Sequence, residues 1–215
     1  MPAQKKVIRE LLAAEGRTFA ADAGIRLANT PQPLYRTLVL ATLLSARIRS
    51  SVAVATARAL HDAGLRSARR MADATWQQRV DALGEGGYRR YDERTATQLG
   101  EGARLVLDAW GGDLRRLRAD AHGDVAELRQ LLQRVPGLGP TGADIFLREV
   151  QGVWPEAAPY LDAKAIQGAR RLGLPDEPEA LSRLDENHEP AAFASALVRA
   201  ALDKKVADEA LRQAA

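Results

Sequence analysis

The 215-residue sequence contains no cysteine, and that absence removes several chemistries at once. Disulfides, thiolate nucleophiles, zinc–thiolate centres and iron–sulfur clusters all require sulfur ligands. Histidine is nearly as scarce: His61, His122 and His188 are scattered without metal-ligand spacing, and each reads as a surface residue. Aromatic residues make up only 5% and β-branched residues are sparse, which disfavours strands. No apolar run approaches the ~20 residues of a membrane-spanning helix. The opening stretch passes from Lys5 and Lys6 into an amphipathic segment and not a signal-peptide core, so a cytoplasmic, non-membrane protein is expected.

What is present is ordinary for a folded domain: 46% hydrophobic and 27% charged residues, enough length to bury a core. The formal charge of +3 permits nucleic-acid binding without demonstrating it, because the placement of the charge decides. Abundant Ala, Leu and Arg favour helices throughout. Helices are expected at residues 4–15, 18–27, from Leu34, at 52–63, at 76–83 behind a Thr75 cap, and on to Trp110, where Gly111 and Gly112 stop the chain. Residues 38–44 are apolar on every side and predict a central, buried helix. Asp113 and Asp124 are further caps, Asp124 with Glu127 in a capping-box pattern. Helices at 141–151 and from Asp162 to Leu172, a further one capped by Asp176, and a last one over 190–215 complete an all-α chain of about ten helices.

The stretch Val135-Pro136-Gly137-Leu138-Gly139-Pro140-Thr141 separates two of these helices. Glycines in such a turn leave the backbone open to a ligand, and the free amides at the start of the next helix suit a phosphate. Leu138 would plug the apolar gap between the helices. The plainer alternative is an interhelix connection with no ligand. Asp162 stands where an N-cap belongs, and capping alone would account for it.

Three pieces in order are similar to the helix-hairpin-helix superfamily of base-excision DNA glycosylases, the endonuclease III-like proteins. Leu43-Leu44-Ser45-Ala46-Arg47 resembles the family's Leu-Leu-Ser-Ala-Gln, Val135 to Gly139 resembles its Leu-Pro-Gly-Val-Gly, and Trp154-Pro155 followed by Asp162 resembles its Trp-Pro…Asp. The resemblance spans residues 30–175 and implies an all-α, two-lobed fold with a central cleft. On that expectation residues 30–125 form a six-helix-barrel-type lobe and 126–175 carry the hairpin and the aspartate. Residues 1–29 and 176–215 complete the second lobe, all within a single 1–215 unit.

The resemblance further implies a phosphate grip at Gly137, Leu138, Gly139 and Thr141, and a catalytic role for Asp162. A base cannot be attacked inside a duplex and must be flipped out, at a cost of a few kcal/mol. Loss of the base leaves positive charge on the sugar, which a carboxylate stabilises while it orients or deprotonates water. The sequence departs from the family in four places. Thr141 occupies the position of the lysine that forms a Schiff base in bifunctional members, so a monofunctional hydrolase without the usual lyase step is expected. The four-cysteine cluster loop is missing. Lys164 stands where endonuclease III has histidine, as a phosphate partner or, at longest reach, a substitute amine. Arg47 replaces the glutamine that fills the gap left by a flipped base; it and Arg49, with Arg89 and Arg90 in a second basic loop, are wedge or backbone-contact candidates, or else solvated surface. Arg148, Arg170 and Arg171 read as surface or salt-bridge residues.

The expected partner is double-stranded DNA, damaged or mispaired, bound by a nucleoid-associated monomer. No cofactor is expected, although the hairpin leaves room for a structural monovalent or divalent cation. Two alternatives stay open: a non-catalytic DNA-binding or DNA-structure-recognising protein on the same fold, and a helical protein-interaction module.

Overall fold

A computed structural model describes residues 2–215. Among them are fourteen α-helices and no strand, as the composition predicts. In chain order they are α1 (Pro2–Glu15), α2 (Phe19–Asp22), α3 (Pro31–Leu44), α4 (Ser50–Asp62), α5 (Ala68–Asp73), α6 (Trp76–Glu85) and α7 (Asp92–Trp110). Then follow α8 (Leu114–Asp120), α9 (Val125–Leu132), α10 (Pro140–Val150), α11 (Ala163–Arg171), α12 (Pro178–Ser182), α13 (Pro190–Leu202) and α14 (Lys204–Ala214). A 3-10 turn at Pro155–Ala157 and a cis Ala158–Pro159 bond lie between α10 and α11. No described helix is long and apolar enough to cross a membrane.

The chain forms two compact units. One is contiguous, Ala20–Phe146; the other joins the N-terminal residues through Phe19 to Leu147–Ala215. The hairpin therefore belongs to the contiguous unit and Asp162 to the composite one.

In the contiguous unit α3 is buried from Leu34 to Leu43 apart from Arg36, as its all-round apolar sequence requires. It begins at Pro31 and not near Leu34, because first-turn amides have no helical acceptor and Pro31 and Pro33 forfeit nothing there. Helix α4 packs on α3, α6 packs on α4 and α7, and α5 and α8 pack on α7. Thr75 and Gln78 form a complete capping box for α6. Gly111, at φ +62, ends α7 in the left-handed conformation. Helix α5 was not expected: only Ala68 and Met71 of its six residues are buried, too few to register a helical period.

In the composite unit α13 is the core helix, with α1, α11 and α14 packed against it. Gly168 brings α11 so close that a Cβ there would lie 1.8 Å from the Leu197 carbonyl oxygen. Three expectations are corrected here and nearby. Residues 190–215 are two helices and not one, because Asp203 leaves the helical conformation and caps α14 by accepting from the Lys205 amide at 2.8 Å. Asp176 does not cap α12; Glu177 is the N-cap residue, and Asp176 pairs with Arg170 at 2.8 Å. The helix expected over 18–27 is only the four-residue α2, stopped at Gly24, which has φ +68.

Candidate functional site

The hairpin is built from both ends. Asp124 accepts from the Ala126 and Glu127 amides at 2.8 and 3.2 Å and starts α9; the chain leaves α9 at Leu132 and re-enters a helix at Pro140. Gly137 has φ +84, a conformation costly to any side chain, and a Cβ there would sit 3.1–3.2 Å from Gln98 of α7. Leu138 is 1% exposed and fills the gap beside Gly142, where a Cβ would come within 2.7 Å of it. Gly139, Pro140 and Thr141 are exposed, so the backbone at the start of α10 is open to solvent. Pro140 has no N–H and the Ala143 amide donates to the Gly139 carbonyl at 3.0 Å, which leaves the Thr141 and Gly142 amides as the first-turn donors without an acceptor within the helix.

Beside the hairpin, wholly within the contiguous unit, lies an open hollow of about 660 Å³. Its walls come from the hairpin, from Ser45–Arg47 just after α3, and from Tyr88 and Tyr91 before α7 with Arg94, Thr95 and Gln98 in its first two turns. Three arginines line it, Arg47, Arg94 and Arg134, and no carboxylate does. A second hollow of about 550 Å³ shares Arg47 and Tyr88 with the first and adds Arg49, Arg89 and Arg90. None of these six arginines makes an ion pair with another described residue, and all are exposed. Arg90 rests over the Tyr91 ring at 5.3 Å, while Tyr88 is buried with its hydroxyl 3.0 Å from Thr95 Oγ1. A larger depression of about 830 Å³ on the same unit mixes Arg66 and Arg70 with Asp73, Asp81 and Glu85, and so offers no consistent field to a charged partner.

The structure thus brings Arg47, Arg49, Arg89 and Arg90 to two adjoining hollows, the first of which also meets Gly137, Leu138 and Gly139. Sequence reading missed Arg94, Gln98 and Arg134. The signal was present: Arg94, Gln98 and Gly102 recur every four residues and form one stripe of α7. Val135 and Pro136 lie against Gly102, and Gly137 against Gln98.

In the composite unit Asp162 is the N-cap of α11, its Oδ1 accepting from the Ala165 amide at 2.8 Å. Its Oδ2 accepts from Arg148 Nη1 at 2.5 Å, and the two side chains are only 8% and 3% exposed. Arg148 is therefore a buried ion-pair partner and not a surface residue; its Nε has no acceptor among the described residues, and its guanidinium lies 5.9 Å from the Phe19 ring centroid. The loop leading to Asp162 is held by Gln151, whose amide donates to the Tyr160 and Pro190 carbonyls and accepts from the Tyr160 amide at 2.8 Å. Lys164 is exposed and donates to Gln167 at 2.8 Å. With no cysteine in the chain, no residue set here fits an iron–sulfur cluster.

No protein-family model and no curated protein sequence matches the chain. Its fold is similar to that of a solved structure described as a trapped endonuclease III–DNA covalent intermediate, an estranged-adenine complex. The TM-score is 0.54 at 14% identity, over 89% of this chain and 81% of that chain. The all-α fold of the chain is thus of the endonuclease III type.

Proposed function

With that fold as premise, we propose that the chain binds double-stranded DNA through its contiguous unit and hydrolyses the N-glycosidic bond of a damaged or mispaired base. The observation that carries the reading is the arginine-lined hollow beside the Pro136–Gly139 turn. Unpaired guanidinium groups facing an open hollow repel one another, and a polyphosphate backbone offsets that repulsion while releasing its counterions. The open amides at the start of α10 add a site for one phosphate. Arg47, three residues beyond the end of the buried α3, has the planarity and donors to stack in a gap left by an extruded base.

On this reading Asp162 is the catalytic carboxylate, stabilising positive charge on the sugar and orienting water. Its capping bond and its bond to Arg148 use two of the roughly four lone-pair positions of a carboxylate, so acceptor capacity remains. Thr141 has no amine, which leaves water as the nucleophile and no lysine-dependent lyase step at that position. Lys164, exposed on the first turn of α11, serves as a phosphate partner.

The test is base release from a panel of lesion-containing duplexes, wild type against Asp162→Asn. Release that the substitution abolishes, with duplex binding retained, is the expected result. Binding to every duplex with release from none sinks the enzymatic reading.

One observation favours a second reading, a DNA-structure-recognising protein without catalysis. The guanidinium of Arg148 offsets the charge of Asp162 within a buried pair, and a neutralised pair stabilises a developing cation less than a lone carboxylate would. The same panel separates the two readings.

A further inference from the structure

We infer that Arg134 holds a second DNA phosphate, next to the one expected at the hairpin amides. The inference rests on the proposed duplex binding and extends it to a residue that the motif does not include.

Arg134 lies between the end of α9 and Val135, and its amide donates to the Leu131 carbonyl at 3.1 Å, which fixes its backbone as the chain enters the turn. Its guanidinium carbon lies 5.4 Å from the centroid of the Trp110 ring. Trp110 is itself immobilised: it is 2% exposed and its indole N–H donates to Asp120 at 2.9 Å. A guanidinium held by an aromatic ring engages its face and keeps the N–H edge for a planar or tetrahedral oxyanion. The same residue is exposed, makes no ion pair with a described residue, and lines the hollow together with Gly137, Gly139 and Arg94.

Two costs normally weaken an arginine–phosphate contact: the rotamer entropy of the long side chain and competition from intramolecular carboxylates. Here the ring restrains the side chain before the ligand arrives, and no carboxylate lines the hollow. Arg94, one α7 turn from Gln98, lines the same hollow and adds positive potential. The alternative role for Arg134, shielding Trp110 from water, predicts a stability effect with no effect on DNA.

The experiment is equilibrium binding of a short, undamaged, fluorescently labelled DNA duplex over a salt series, with thermal melting in parallel. For wild type, log K falls linearly with log salt, by about 0.9 for each phosphate neutralised. Arg134→Gln should lower that slope by about 0.9 and weaken binding equally on duplexes of different sequence. Arg134→Lys should restore the slope but not the full affinity, since ammonium keeps the charge and loses the planar fork. An unchanged slope in Arg134→Gln, with or without a lowered melting temperature, overturns the inference. A wild-type protein that binds no duplex at any salt concentration overturns the proposed function and this inference with it.

Discussion

Arg148 and Asp162 show how much a single residue pair constrains. Removing one partner of a buried ion pair strands the other charge, which costs about 3–5 kcal/mol. Arg148→Met should therefore destabilise the protein by about that much in urea denaturation. The double variant Arg148→Met with Asp162→Asn should recover most of the loss, because Asn still caps α11 and no charge is left buried. A double variant no more stable than the single one would show that Arg148 acts through packing and not through its charge. At the hairpin, Gly137→Ala forces a Cβ into the left-handed region and against Gln98. About 1–2 kcal/mol of stability should be lost on conformational grounds alone, read by thermal melting. The helix caps Thr75, Asp113, Asp124 and Asp162 were legible because each lies within three residues of the amides it serves. The pairing of Arg148 with Asp162 was not, since fourteen residues and a loop separate them, and nothing local distinguishes a buried arginine from a solvated one.

At the scale of elements, the sequence marks interruptions only where the side chains are unusual. Glycine flagged the ends of α1 and α7, and proline the start of α3, though placed three residues late. The break at Asp203 passed unnoticed because Leu202-Asp203-Lys204 contains neither residue and the apolar spacing continues on both sides. Helix α5 was invisible for the opposite reason, being too short to show a period. Contacts between elements were out of reach of a one-dimensional pattern, although their traces remain. Gly168, interior to α11 and unfavourable there by propensity, lets α11 lie directly on the backbone of α13. Gly168→Ala meets a backbone carbonyl that cannot rotate away, so its cost should reach the upper end of the ~1–3 kcal/mol typical of overpacking. A shift in urea midpoint smaller than that of Gly152→Ala, where a Cβ meets open space, would contradict the close approach of the two helices.

For the whole molecule, acidity provides a test that involves no ligand. Burial, then the charges of Arg36 and Arg66, hold the His61 imidazole below its ordinary value of 6.5, with Asp62 opposing. A depressed imidazole is protonated more readily in the unfolded chain. Its contribution to stability is complete above 6.5 and is lost as pH falls through the lower folded value. Urea midpoints should therefore decline as pH falls from 6.5 towards the lower folded value, and His61→Gln should flatten the decline. The all-α class was readable from composition; the division into units depends on which distant helices meet, which composition does not record, and two lobes were expected only from the resemblance. That division carries a consequence for synthesis. The unit with the arginine-lined hollows is one uninterrupted stretch, Ala20–Phe146, whereas the other needs α1 from the beginning of the chain and α13 and α14 from its end. On the ribosome the first unit is complete before Asp162 has been added, while Val7, Ile8 and Leu11 of α1 wait uncovered for helices still to be translated. Nascent chains in which Phe146 is followed by an unrelated tether long enough to clear the ribosome exit tunnel should resist protease from residue 20 onward and be cut within α1.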